Sequence, residues 1–133
     1  MSKDLFKKDN TIIVKTFIND MHLAYNAADI IISRAGAIAI SELCYVGKPT
    51  ILVPSPNVAE NHQSKNARKL YDVGAAEYVE EDEIEYKLKS IINKIFISDV
   101  YKKSLSEKIA SLSKPNASKI IVDEIKQYIK WVI

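Results

Sequence analysis

The chain alternates short β-branched apolar runs with longer stretches in which apolar residues recur every three or four positions. The runs read as strands over Thr11–Phe17, Asp29–Ser33, Thr50–Val53 and Ala75–Val79. Helical periods cover Met21–Ala28, Ala37–Val46, His62–Tyr71, Val100–Ser111 and Ala117–Trp131. A further helix from Glu85 places Leu88, Ile91, Ile92, Ile95 and Phe96 along one buried face. Turn residues support these limits. Asn19-Asp20 offers an N-cap for the first helix. Gly47-Lys48-Pro49 stops the second, because glycine accepts the left-handed C′ position and proline prevents continuation. Pro54-Ser55-Pro56-Asn57 is a loop, since two prolines fix φ and remove donors. Asn61 or a near neighbour opens the third helix and Gly74 closes it. Glu80–Glu83 reads as a solvated acidic turn leading a helix, where negative charge complements the dipole. Ser2–Asn10 is a mixed-charge stretch that reads as a short helix or a loop.

Strands that alternate with helices through short loops imply βαβ crossovers. The expected fold is α/β: a partial Rossmann-like parallel sheet of about four strands with helices on both faces. The 133 residues suffice for one core of ordinary size, and residues 85–133 form a C-terminal helical part of that single domain. Four strands make a small sheet, so the unit reads as an incomplete piece of a larger doubly wound domain.

Composition narrows the classes. The formal net charge of +2 does not point to nucleic acid. One cysteine cannot close an internal disulfide, and Cys44 lies in an apolar helical stretch where it is expected to pack. One Cys and two His without ligand-like spacing do not suggest a structural metal. His22 is expected at an exposed or core-edge position. The first ten residues lack the apolar centre of a signal peptide, and no apolar run is long enough to span a bilayer. The expected compartment is the reducing cytoplasm.

The candidate chemistry gathers in three loops expected at one sheet edge: Ile18–Met21, Ser33–Ala37 and Pro54–Gln63. Ligands of open α/β sheets bind at the carboxyl ends of the strands. Asp29–Glu42 runs from buried strand through a tight turn into a helix N-terminus, where unpaired N–H groups and the dipole favour an anion. Gly36 permits close backbone approach or positive φ, or is a plain turn glycine. Arg34 can pair with phosphate or hold a neighbouring carboxylate. Glu42 can accept bonds from a diol or stand as an exposed helix carboxylate. His62, Gln63 and Asn66 form a row of hydrogen-bonding groups that suits a sugar or a solvated face. Asn57 and Glu60 share that loop without a distinctive partner.

Several motifs now occur in order: Phe17-Ile18-Asn19-Asp20-Met21, Ser33-Arg34-Ala35-Gly36-Ala37 with Ser41-Glu42, Gly47-Lys48-Pro49, Pro54-Ser55-Pro56, His62-Gln63, Asn66-Ala67 and Gly74-Ala75-Ala76. Together they resemble the C-terminal, donor-binding part of the MurG family of peptidoglycan N-acetylglucosaminyltransferases (GT-B fold, glycosyltransferase family 28). The resemblance covers nearly the whole chain. It implies a UDP-GlcNAc donor, a lipid I acceptor, lipid II as product, and no cofactor or metal.

Position by position, the resemblance implies that Ile18 contacts the uracil through its backbone, with Phe17 and Met21 packed near the base. Arg34 lies beside the nucleotide. Gly36, Ala37 and Ile38 present amides to the pyrophosphate, and Glu42 binds the ribose hydroxyls. Gln63, with His62 and Asn66 nearby, faces the GlcNAc hydroxyls. The family pattern often has two consecutive glutamines where this chain has His62-Gln63. The family's acceptor-binding domain is not recognisable in the sequence. The chain is therefore expected to be a fragment, a truncated gene product or one half of a split enzyme, with little activity alone. A non-catalytic donor-binding subunit and an inactive remnant are the alternatives. Ile125–Ile133 is expected to pack on this core or on another domain, with peripheral contact at the cytoplasmic membrane face as the alternative.

Overall fold

The computed structural model describes residues 11–56 and 61–129. The strand elements are β1 (Ile31–Ser33), β2 (Thr50–Leu52) and β3 (Glu77–Tyr78). The helices are α1 (Met21–Ala27), α2 (Ala37–Val46), α3 (His62–Asp72), α4 (Ile84–Ile97), α5 (Asp99–Ser111) and α6 (Ala117–Ile129). The readings of Ser2–Asn10, of Asn57 and Glu60, and of Lys130–Ile133 lie outside the described residues.

The three strands form one parallel sheet in the order β1-β2-β3. Ile32 is level with Ile51, and Leu52 with Tyr78. All three residues of β2 are buried, which a strand covered on both faces requires. Successive side chains alternate in direction. Leu52 joins one cluster with Ile31, Leu43 and Cys44 of α2, Ala67 of α3 and Ile109 of α5. Ile51 joins a second with Val79, Ile95 of α4 and Leu105 of α5. The two faces are thus covered by different helices, and α5 reaches both.

One expected strand does not form. Thr11–Phe17 carries β-branched residues, but it forms no strand of the sheet among the described residues and lies open, with Ile13 80% and Phe17 78% exposed. Propensity describes fit to a pleated, half-buried surface. Without a neighbouring strand to take up its backbone groups, the run stays outside the sheet. The sheet therefore has three strands among the described residues rather than about four.

Helix limits follow the punctuation closely. Gly47 ends α2 in the left-handed region at φ 67°. A Cβ there would stand 3.2 Å from Ala110 Cβ, so glycine also lets α5 approach. Asn61, at φ 55°, precedes α3, a conformation that asparagine tolerates better than most residues. Ser98 caps α5 by accepting a bond from the Tyr101 amide. Cys44 is buried as expected, and burial pushes its thiol pKa up.

Glu77 is the charged side chain that enters the core among the described residues. Glu77 of β3 is only 4% exposed, and its Oε1 accepts from Lys94 Nζ of α4 at 2.7 Å and from the Tyr101 hydroxyl of α5. Lys94 also lies 4.2 Å from the Tyr101 ring centroid. Hydrogen bonds from the lysine to Glu77 and Tyr101 raise its pKa. A raised folded-state pKa means that the lysine's contribution is complete below its unfolded pKa and fades as pH climbs through the folded one. Lys94→Met should lower stability by about 1–2 kcal/mol, less than a fully buried pair because the ammonium is largely exposed. The loss should stay constant over roughly pH 6 to 9. Urea unfolding of both proteins across that range checks it, and a difference that grows or vanishes there would contradict the assignment.

Candidate functional site

The parallel strands end together, so the loops after β1, β2 and β3 meet at one edge. Val53 N–H donates to Ser33 O at 2.8 Å and Val79 N–H to Leu52 O at 3.0 Å, carrying the ladder to the loop starts. Beyond them lie the turn 34–36, the loop from Pro54 and the acidic turn Glu81–Glu83.

Helix α2 starts at this edge. Gly36 is its N-cap, and no side chain caps it. The first intrahelical bond is Ile40 N–H to Gly36 O, which leaves the amides of Ala37, Ile38 and Ala39 without helical acceptors. Gly36 has φ −69° and ψ 147°, so positive φ is not why glycine stands there. A Cβ at Gly36 would meet nothing within 4 Å. The position is open to close approach from outside, with Ala37 and Ile38 exposed beside it.

Arg34 is engaged with protein groups at this edge. Its Nη1 pairs with Glu81 Oε2 and donates to Pro54 O at 3.2 Å and, more weakly, to Val53 O at 3.5 Å. One guanidinium thereby ties the loops after all three strands. Glu81 is the neighbouring carboxylate that Arg34 can hold. The acidic run is correspondingly not just solvated: Glu81 holds Arg34, Glu83 pairs with Lys87, and Glu80 accepts from the Tyr78 hydroxyl. Burial and the Glu80 bond push the Tyr78 hydroxyl up to about 12.

Gln63 and Asn66 stand three residues apart on α3 and share a face. Gln63 Oε1 accepts from Ala35 N–H at 3.3 Å and Ser55 N–H at 2.9 Å. Asn66 Nδ2 donates to Ala35 O at 3.4 Å. The fully buried Ala35 is therefore held at both its amide and its carbonyl. Because backbone N–H groups only donate, the Gln63 atom that meets them is the carbonyl oxygen, and its NH₂ remains a donor. His62, exposed, begins the same helix.

Glu42 lies one and a half turns into α2, on a cleft of about 640 Å³ shared with Met21, His22, Tyr25 and Tyr45. The Tyr25 hydroxyl donates to Glu42 Oε2 at 3.3 Å. Burial, and then the Glu42 charge, raise the Tyr25 pKa, which keeps the phenol a donor. Met21 and Glu42 are thus brought together, while Ala37 and Asn66 share a smaller depression with Lys69. Ile18 is half-buried just before α1, whereas Phe17 is exposed. Sequence reasoning missed Tyr25, Ser55 and Glu81. Tyr25 carried no motif signal, and pairing across loops leaves no periodic trace. Among the described residues, no group of three or more His, Cys, Asp or Glu is placed to hold a metal ion.

Removing the Gln63 acceptor should free the Ala35 and Ser55 amides. Gln63→Ala should lower stability by about 1–2 kcal/mol and speed amide exchange at both positions, while Gln63→Glu keeps the acceptor and the protection. Unchanged exchange in Gln63→Ala would remove the brace.

The profile described as the glycosyltransferase family 28 C-terminal domain matches residues 1–121. A Bacteroides thetaiotaomicron protein named UDP-N-acetylglucosamine--N-acetylmuramyl-(pentapeptide) pyrophosphoryl-undecaprenol N-acetylglucosamine transferase is 51% identical over 112 residues, 84% of this chain and 30% of its own length. The protein of that name from Christiangramia forsetii is 46% identical over 119 residues, 90% of this chain and 32% of its own. The crystal structure of Acinetobacter baumannii MurG superposes with a TM-score of 0.72 at 32% identity, covering 84% of this chain and 32% of that one. The chain thus spans about a third of the length of the relatives it matches. The parallel sheet flanked by helices agrees with that structure, and the family profile spans the edge loops, α2 and α3. The chain belongs to the glycosyltransferase family 28 C-terminal domain family.

Proposed function

We propose that this domain is the donor side of a UDP-GlcNAc-dependent N-acetylglucosaminyltransferase of peptidoglycan synthesis. The acceptor is lipid I, undecaprenyl-pyrophosphoryl-MurNAc-pentapeptide, and the product is lipid II. One observation carries the reading: the uncapped start of α2 at the sheet's carboxyl edge, with Glu42 farther along the same helix on a cleft. Free amides and a helix dipole suit a diphosphate. A carboxylate suits the vicinal hydroxyls of ribose. Ile18 and Met21 border the uracil in this reading, and Gln63, through its NH₂, faces the GlcNAc hydroxyls with His62 and Asn66. Arg34 stands beside the nucleotide as the tie that keeps the edge loops in place. The names of the relatives support the same donor and acceptor.

The chemistry is a direct displacement. An acceptor hydroxyl oxygen bonds to the anomeric carbon of GlcNAc, and the bond from that carbon to UDP breaks with its electron pair leaving on UDP. The hydroxyl proton passes to a base on the acceptor side, and configuration inverts. This domain contributes position and stabilises charge on the departing diphosphate.

Lipid I is held by an acceptor-binding domain or partner chain, at the cytoplasmic face of the membrane. The exposed apolar residues of α6, among them Ile121, Ile125 and Tyr128, support contact with that part. Asp123 and Glu124 balance Lys119 and Lys126, so α6 as described gains little from an anionic lipid surface. No helix among the described residues is long and apolar enough to cross a membrane.

Calorimetric titration with UDP-GlcNAc tests the donor reading. Glu42→Ala should weaken binding about ten-fold or more, the loss of hydrogen bonds to a charged group. Equal affinities would take Glu42 out of the ribose site.

A further inference from the structure

We propose that Tyr25 is a positioning residue for nucleotide recognition: it holds the Glu42 carboxylate in the orientation that receives the ribose 2′- and 3′-hydroxyls. The proposal rests on the reading of Glu42 as the ribose ligand.

Glu42 is exposed on α2, and its long side chain would otherwise sample several rotamers. Tyr25 is differently placed. Its ring packs against the core cluster that contains Leu43 and Cys44, so its base is fixed while its hydroxyl reaches outward. That hydroxyl donates to Glu42 Oε2 at 3.3 Å and joins α1 to α2. The neighbouring Asn26 carbonyl accepts from Lys48 Nζ at 3.1 Å, which ties the same turn of α1 to the segment after α2. Helix α1 has no buried residue of its own, and these contacts link it to α2 and to the segment that follows.

The geometry leaves the carboxylate usable. An ionised carboxylate offers about four lone-pair sites, and Tyr25 takes one on Oε2. Oε1 and the remaining Oε2 site are left for two hydroxyls. Both residues line the cleft that also holds Met21, so the ordered carboxylate faces a space able to take a nucleoside. A side chain ordered before the ligand arrives loses less freedom on binding.

The test is calorimetric titration of the 133-residue chain with UDP and with 2′-deoxy-UDP. The native chain should prefer UDP by about ten-fold, and Glu42→Ala should abolish that preference. Tyr25→Phe keeps the ring and its packing. It should weaken UDP binding by about three- to ten-fold and move 2′-deoxy-UDP much less. The double variant should match Glu42→Ala alone, because Tyr25 acts through a carboxylate no longer there. If Tyr25→Phe keeps the native preference, or its loss adds in full to that of Glu42→Ala, the role of Tyr25 is overturned while the ribose site stands. If the native chain binds neither nucleotide, or Glu42→Ala keeps the preference, the ribose reading itself fails and the proposal with it.

Discussion

The central strand Thr50–Leu52 is buried on both faces, and the placement of the other elements follows from that constraint. Ile51 and Leu52 point to opposite sides, so helices must cover each. Strands joined by helical crossovers, as these are, run parallel. Parallel strands end at the same edge, and their loops must then meet. The turn after Ser33, the loop after Val53 and the acidic turn after Val79 converge for this reason.

Loops that converge carry backbone groups that need partners. Two side chains supply many of them. Arg34 donates to carbonyls after β2 and pairs with a carboxylate after β3. Gln63 accepts amides from the loops after β1 and β2. The edge is consequently braced in both directions, by donors and by an acceptor. That rigidity is what a site needs when binding must orient a leaving group rather than merely retain it. It also redistributes charge. Arg34 is matched by Glu81, while the start of α2 keeps its partial positive charge facing outward.

Glu77 shows the same economy inside the fold. A charge on β3 is held by one residue from α4 and one from α5. The contact fixes how those helices sit on the second face of the sheet. Helix α6 has no comparable anchor. None of its described residues is buried, and it exposes Ile120, Ile121 and Ile125. Of the readings held for the C-terminal segment, packing on this domain's own core is thus not realised for the described part of α6.

Much of this protein is local and was legible in the sequence. Ala37–Val46 runs between a glycine and Gly47, and the observed α2 has the expected limits. The end of α3 near Gly74 and the breaks around Pro49 and Pro115 follow from single-residue backbone preferences, which need no tertiary context. Parallel order and double-sided burial followed from alternation and from apolar runs. The Thr11–Phe17 strand did not, because pairing is a property of two segments and propensity of one. The site divides along the same line. Gly36, Glu42, Gln63 and Asn66 could be named from residue type and place along the chain. That Arg34 meets Glu81, that Gln63 spends its carbonyl on Ala35 and Ser55, and that Tyr25 reaches Glu42 were decided by the tertiary structure. These partners are separated by 47, 28, 8 and 17 positions. The sequence by itself determined which groups stand at the sheet's edge. Only the packing of helices on both faces of a buried strand decided which of them hold each other.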